Sequence, residues 1–432
     1  MAGAPVSIHS SATRAASRWV QLAAGIVAMM AVANLQYSWT LFTGELTASL
    51  HATLPAIQVA FSTFLIAVTW LVPFDGYLID RFGPRPIMVC AGVLVGIGWV
   101  GAGKASTVTE LVIVYTIGGI GAGIVYGGTI GNALKWFPDR RGLCVGLTSG
   151  AYGLGTALTV SGIASMIRSS GYAKTFIVWG LVQGMVVVLS ALVMENPPDG
   201  WLPANNDPNQ ERATKVLTSG LEMSPWQMMR TGPFWLIYLM MTLMSFGGLM
   251  VTAQLSPIAK FYNVDKVVVI FGMSALVLAI QIDRILNGLT RPFWGWVSDH
   301  LGRENTMFAA FTLEAAALFL LLRLADHPVW FIALSGLCFF AWGEIFSLFP
   351  SITADLFGAK WATTNFGVVL TGAGVASIFA GPIAAMASVK SGNWTSVFWA
   401  MIACDIISAL LALVWLKPIA RRMLPKVNPR NP

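Results

Sequence analysis

The sequence predicts an all-α membrane protein with twelve transmembrane helices in two pseudo-symmetric six-helix bundles. Three observations carry that prediction. Of 432 residues, 56% are hydrophobic and only 10% charged, against about 25% charged in soluble domains. This excludes a soluble single-core enzyme, and equally a disordered chain, which needs low hydrophobicity and high charge. Apolar runs recur twelve times, each long enough to cross a bilayer at about 20 residues per span. A polar stretch divides them six and six, and one loop motif appears in both halves.

The runs fall near 19–43, 54–79, 86–104, 108–134, 142–166 and 173–194, and then near 233–259, 267–297, 305–324, 328–349, 362–388 and 395–416. Within the first, Ala31-Val32-Ala33 has the form of a signal-peptidase site. The apolar pattern continues through Leu35-Gln36-Tyr37-Ser38-Trp39, so an uncleaved, unbroken first span is expected. The organisation follows: 1–194 as an N-terminal six-helix bundle, 195–230 as a cytoplasmic linker rich in Pro, Asn and acids, and 231–432 as a C-terminal six-helix bundle. The 43 glycines suit membrane helices that pack closely or bend.

Of the 26 lysines and arginines, 17 fall on the side of the N-terminus, seven on the opposite side and two, Arg284 and Arg291, inside a span. Positive charge concentrates on the cytoplasmic side of membrane proteins, so both termini and the linker are expected in the cytosol, with the chain multi-pass in the cell's inner (plasma) membrane. The basic residues sit in short loops rather than in one patch, so the net charge of +7 implies no nucleic-acid partner. The partners expected are the lipid bilayer and a small solute, with the chain a monomer. Cys90, Cys144, Cys338 and Cys404 lie in apolar runs without a disulfide or metal spacing. His9, His51, His300 and His327 are all placed in loops. No metal and no cofactor is expected.

The halves repeat. Gly76-Tyr77-Leu78-Ile79-Asp80-Arg81-Phe82-Gly83-Pro84-Arg85 follows the second run, and Gly295-Trp296-Val297-Ser298-Asp299-His300-Leu301-Gly302-Arg303 follows the eighth, 219 positions later. Trp136-Phe137-Pro138 is echoed by Leu348-Phe349-Pro350. Two parallel six-span repeats are a common construction of secondary transporters.

The duplicated Gly-x-x-x-Asp-Arg-x-Gly-x-Arg loop resembles the signature of the major facilitator superfamily. Further stretches resemble, in the same order along nearly the whole chain, the oxalate:formate antiporter family: Leu35–Leu41, Gly123–Gly127, Trp136–Leu143, Ala151–Gly155, Arg291–Gly295 and Ala376–Phe379. The resemblance implies secondary transport of a small organic carboxylate by alternating access, most like oxalate/formate exchange. A proton-coupled monocarboxylate symporter is the alternative. The rival of another class is a receptor or sensor that keeps the fold without transporting, which long cytosolic signalling extensions would favour. An enzyme finds no support in any phosphate loop, nucleophile–base pair or metal spacing.

The informative residues are the ionisable ones inside spans. Each costs about 2.5–3.5 kcal/mol to insert, so four cost roughly 10–14 kcal/mol. The eighth run holds Asp283, Arg284 and Arg291, and the tenth holds Glu344. Arg284 and Arg291 are two helical turns apart and project from nearly one face, about 10 Å apart along the axis. Arg291 suits a carboxylate, because its planar fork donates paired hydrogen bonds and keeps its charge. The resemblance makes it a substrate ligand. The alternative is a permanent salt bridge from the arginines to Asp283 or Glu344, the two acids expected to neutralise the site and to couple it to protons. By resemblance Gln36, Tyr37, Gln58, Tyr126, Tyr152 and Trp342 line the substrate cavity, although interfacial anchoring is the ordinary role of such aromatics. Asp80, Arg81, Asp299 and Arg303, the charges of the duplicated loop, are the expected gating residues. The chain departs from the family at Ala373, where the antiporter has a lysine, at Glu344, where it has a small residue, and at Phe346, where it has a tyrosine. Glu314 and Asp405, in the ninth and twelfth runs, have no role from sequence.

Overall fold

The computed structural model describes residues 8–198, 201, 219–270 and 272–423. Most of the predicted linker, with Arg212 and Lys215, lies outside the described residues, as do Lys426 and Arg430. Ten described helices are long and apolar enough to cross a membrane, and a pair bent by 46° at Leu71, Ala56–Trp70 with Val72–Phe82, makes an eleventh. The twelfth, Ala275–Leu301, has the length but carries Asp283, Arg284, Arg291 and Asp299, which lower its hydropathy. Its buried face sits against other helices, where such charges are tolerated.

Spans 1 to 6 are Ile8–Tyr37, Leu54–Trp70 with Val72–Phe82, Pro84–Ala102, Val108–Trp136, Arg141–Ser170 and Tyr172–Leu192. Spans 7 to 12 are Gly232–Phe261, Ala275–Leu301, Arg303–Leu324, Pro328–Trp342 with Ile345–Phe357, Ala362–Ser391, and Thr395–Leu410 continued through a π turn to Met423. The same packing pairs recur in each half: span 1 on span 5 and span 7 on span 11, span 2 on span 4 and span 8 on span 10, span 3 on span 6 and span 9 on span 12. Between the halves, span 5 packs on span 8 and span 2 on span 11, again a symmetric pair. Large apolar residues such as Phe74, Leu158, Met185 and Trp415 face outward, as a hydrocarbon solvent requires.

The duplicated loops show why their glycines are needed. Gly83 and Gly302 both sit at positive φ, 86° and 89°, where a side chain is strained. Each turns the chain directly into the next helix. Gly295 meets Gly142 so closely that a Cβ on either would collide with the other's backbone, which brings spans 5 and 8 into backbone contact.

Four expectations need correction. The first span does not run unbroken through Trp39. Its α-helix ends at Tyr37, where a 3-10 turn over Trp39–Leu41 leads into a short helix, Thr43–Ser49. The Asn34 carbonyl accepts from the Ser38 amide and the Asn34 side chain from Thr159 and Ser38, which fixes the bend. The start of the eighth run is not helical, because Val268–Ile270 pairs antiparallel with Met273–Ser274 around Gly272 at φ 74°. The tenth span breaks at Gly343–Glu344. Two of the histidines are helical rather than in loops: His9 in the first turn of span 1 and His300 in the last turn of span 8.

Candidate functional site

Both described chain ends lie at one end of the bundle, called here the termini end, and the two halves are bolted together there. Asp80 accepts from the Thr364 amide at 2.9 Å and its hydroxyl at 2.7 Å, in the first turn of span 11. Asp299 accepts from the Gly142 and Leu143 amides, both at 2.9 Å, in the first turn of span 5. These are anions seated on helix N-termini, whose amides lack intrahelical partners. Around them Lys135 pairs with Asp80 at 2.8 Å, Arg303 with Asp299 at 2.6 Å and with Asp355 at 2.9 Å, and Arg141 with Asp355 at 2.6 Å. The side chains of this network are 9% exposed or less. Arg81 is outside it. The residue is exposed and donates to the Tyr77 hydroxyl, so Lys135 has the place expected for Arg81. Sequence reasoning missed Lys135, Arg141 and Asp355 as members. Arg141 stood in a stretch that matched the resembled family, whereas nothing flagged Asp355.

Beyond this network lies a cavity of about 450 Å³ between the halves. Eight spans line it; spans 3, 6, 9 and 12 do not. Among the described residues, its only charged lining residues are Arg284 and Arg291, and no acid faces it. Arg291 is 3% exposed. Its guanidinium donates to the Ser149 carbonyl at 2.7 Å and to the Asn287 side chain at 3.0 Å. Beneath it, 4.5 Å away, is the ring of Phe346, an aromatic face that attracts a cation. Its Nε has no partner. Arg284 is exposed to the cavity, over the ring of Tyr37 at 5.6 Å.

Neither arginine has a salt bridge among the described residues. The expected direct pairing with Asp283 or Glu344 is therefore not formed, and Asp283 acts on Arg284 only at longer electrostatic range. Asp283 points toward span 10, where it accepts from Ser335 at 3.1 Å. Glu344 is fully buried at the span-10 break and does not line the cavity. Two guanidiniums without a direct ion-pair partner in a largely apolar cavity have the chemistry to attract an anion.

The aromatic set is largely where the sequence put it. Gln36, Tyr37, Tyr126, Tyr152 and Trp342 all line the cavity. Tyr152 stacks edge-on with Tyr37 and Tyr126, each at 5.5 Å. Its hydroxyl donates to the Gln36 side chain at 2.7 Å. The Tyr126 hydroxyl is buried without a partner, so it is free to donate to a ligand. Trp342 has spent its indole N–H on the Met244 carbonyl, so it shapes the cavity rather than donating into it. Gln58 is not part of the lining; it accepts from the Trp39 indole at 3.1 Å, outside the cavity. Ala373 does line it, so the departure from the resembled family falls on the cavity wall.

Residues 24–288 and 282–431 match the Major Facilitator Superfamily. The chain is 32% identical over 419 residues, 96% of each chain, to an oxalate:formate antiporter of Oxalobacter formigenes. It is 22% identical to monocarboxylate transporter 13 of Bos taurus, over 76% of this chain and 72% of that one. Among solved structures it resembles a proton:xylose symporter, with a TM-score of 0.71 and 16% identity over 93% of this chain and 96% of the other. A fucose:proton symporter of E. coli gives 0.68 and 15% identity, over 91% and 97%. At such identities the two structures speak for the fold alone. With the repeat, the twelve spans and the central cavity, these matches establish that the chain belongs to the Major Facilitator Superfamily and is a multi-pass membrane transporter of that class.

Proposed function

We propose that this transporter carries small organic carboxylates by alternating access, exchanging one anion for another in the manner of oxalate and formate. One observation carries the reading: Arg291, a buried guanidinium with no carboxylate partner among the described residues, faces a cavity whose described lining holds no acid. A substrate carboxylate supplies the missing charge, held by the guanidinium and by the free hydroxyl of Tyr126. With both termini cytoplasmic in the plasma membrane, the shut termini end closes the cytoplasmic side and the cavity serves the outside. Bundles over 1–194 and 231–432, joined by the 195–230 linker, then rock about the site as a monomer.

A second reading, proton-coupled monocarboxylate uptake, draws support from Ala373. This position lines the cavity and is where the resembled family has its second cation. The experiment is uptake of labelled formate, lactate and oxalate into proteoliposomes, with and without internal counter-anion. Uptake that requires the counter-anion supports exchange, and uptake driven by a pH gradient alone supports the second reading. No uptake of any carboxylate refutes both.

A further inference from the structure

Inside the last six spans are three buried carboxylates, Glu314 on span 9, Glu344 at the break of span 10 and Asp405 on span 12, with Glu314 linking the other two. Their residues are 1%, 0% and 0% exposed. Glu314 is within electrostatic reach of both Asp405 and Glu344. All six carboxylate oxygens lack a hydrogen-bond partner, and so does the Ser408 hydroxyl, buried one turn beyond Asp405 on the same helix. The charged and titratable neighbours are few. Cys338 on span 10 and Cys404 on span 12 face the group, and Asp283 on span 8 lies within reach of Cys338. Span 7, which packs on span 12, carries two titratable residues, Tyr238, whose hydroxyl accepts from Thr371 on span 11, and Lys260 in its last turn. No salt bridge reaches the three acids among the described residues. Nor does any described cluster of His, Cys, Asp and Glu have the arrangement of a metal site.

Three ionised carboxylates cannot share an apolar interior without a cation, since each pays desolvation and repels the others. The ligand that fits without a cage is the proton, and the three groups would titrate as a unit. A structural path joins them to the cavity. On span 7, Gly247 lies against Asp405, whose carboxylate is 3.1 Å from where a Cβ would stand. The next residue, Gly248, lies against the Trp342 indole so closely that a Cβ would collide with it. Trp342 lines the cavity, and Glu344 follows two residues later at the helix break. A shift of Trp342 on anion binding therefore bears on span 7 at Gly248, on Asp405 through Gly247, and on Glu344 along its own strand of chain.

We propose that Glu314, Glu344 and Asp405 form a proton-binding site whose occupancy is coupled, through Trp342 and the Gly247–Gly248 contact, to the anion held at Arg291. The coupling rests on the carboxylate-transport reading, whereas the proton site does not, and two measurements separate them. The first is labelling of the purified full-length protein with a hydrophobic carbodiimide, which attacks protonated carboxyls, mapped by mass spectrometry. Labelling of at least one of the three acids at mildly acidic pH, lost at alkaline pH, is expected whatever the protein carries. Absent or pH-independent labelling of all three overturns the proton site. The second is the ratio of formate uptake with and without an imposed pH gradient, in wild type and in Glu314→Gln, Glu344→Gln and Asp405→Asn. These near-isosteric replacements mimic the protonated form. The wild-type ratio is expected to be about tenfold, falling toward one in the variants. A wild-type ratio of one, a ratio unchanged in all variants that reach the membrane, or replacement of the pH gradient by a sodium gradient overturns the coupling.

Discussion

Asp80 and Asp299 stand 219 positions apart in the sequence and make the same contact from opposite halves of the molecule, each capping the first turn of a helix in the other half. The repeat in the sequence is thus a repeat in structure: two carboxylates, two helix N-termini, one interface. Because both contacts are buried and hydrogen-bonded, they hold only while the termini end is closed. Opening that end requires both to break.

Removing one partner of a buried charge pair costs about 3–5 kcal/mol, so Asp299→Ala is expected to destabilise the closed termini end. Cys144 is buried just behind the Asp299 contact. In a background with Cys90→Ser and Cys404→Ser, Asp299→Ala should raise the alkylation rate of Cys144 by a polar maleimide about tenfold or more. An unchanged rate would mean that the ion network does not hold this end shut.

Arg291→Lys keeps the charge but loses the fork that reaches Ser149 and Asn287 together. Transport is expected to fall about 100-fold or more, with membrane expression intact. Near-normal formate uptake by Arg291→Lys would show that charge alone suffices and that the paired geometry is incidental.

Tyr126 and Tyr152 differ in what their hydroxyls already do. Tyr126→Phe removes a donor with no other partner, and a hydrogen bond to a charged group contributes about 1.5–3 kcal/mol. The apparent affinity should drop about tenfold or more. Tyr152→Phe removes a bond to Gln36 and should weaken affinity less. Equal effects from the two would place the carboxylate away from Tyr126.

Arg284 and Ala373 decide between one and two carboxylates. If Arg284 grips the far end of a dianion, Arg284→Gln loses oxalate in competition assays and spares formate. Ala373→Lys places a second cation on the cavity wall and should then restore or strengthen competition by oxalate. Arg284→Gln that impairs every substrate equally would assign Arg284 to the packing against Tyr37.

Eleven of the spans are legible because hydropathy reports burial in lipid, and the charged eighth is marked by the repeated loop that follows it. The cavity was legible through Arg291, Arg284, Tyr37, Tyr126 and Tyr152, whose types are costly or unusual in a span. The breaks were not. The turn after Tyr37 depends on Asn34 meeting Thr159 from another helix, and the interruption at Glu344 has no proline at it, its C-cap Gly343 being one of many glycines inside spans. Side-chain direction was equally hidden. Asp283 adjoins Arg284 in sequence yet faces Ser335, because adjacent helix positions point about 100° apart. Gln58 likewise turned to the Trp39 indole. The neighbourhood of Glu314 was hidden as well, because only tertiary packing brings Asp405 and Glu344 from other helices within its reach.

The most direct test of the account is calorimetric titration of formate and of oxalate into the detergent-purified protein, wild type against Arg291→Gln. The account predicts saturable binding to the wild type at one site per chain, and loss of about 100-fold or more in affinity in the variant, since its cavity has lost the buried cation. Equal binding by wild type and Arg291→Gln would contradict it.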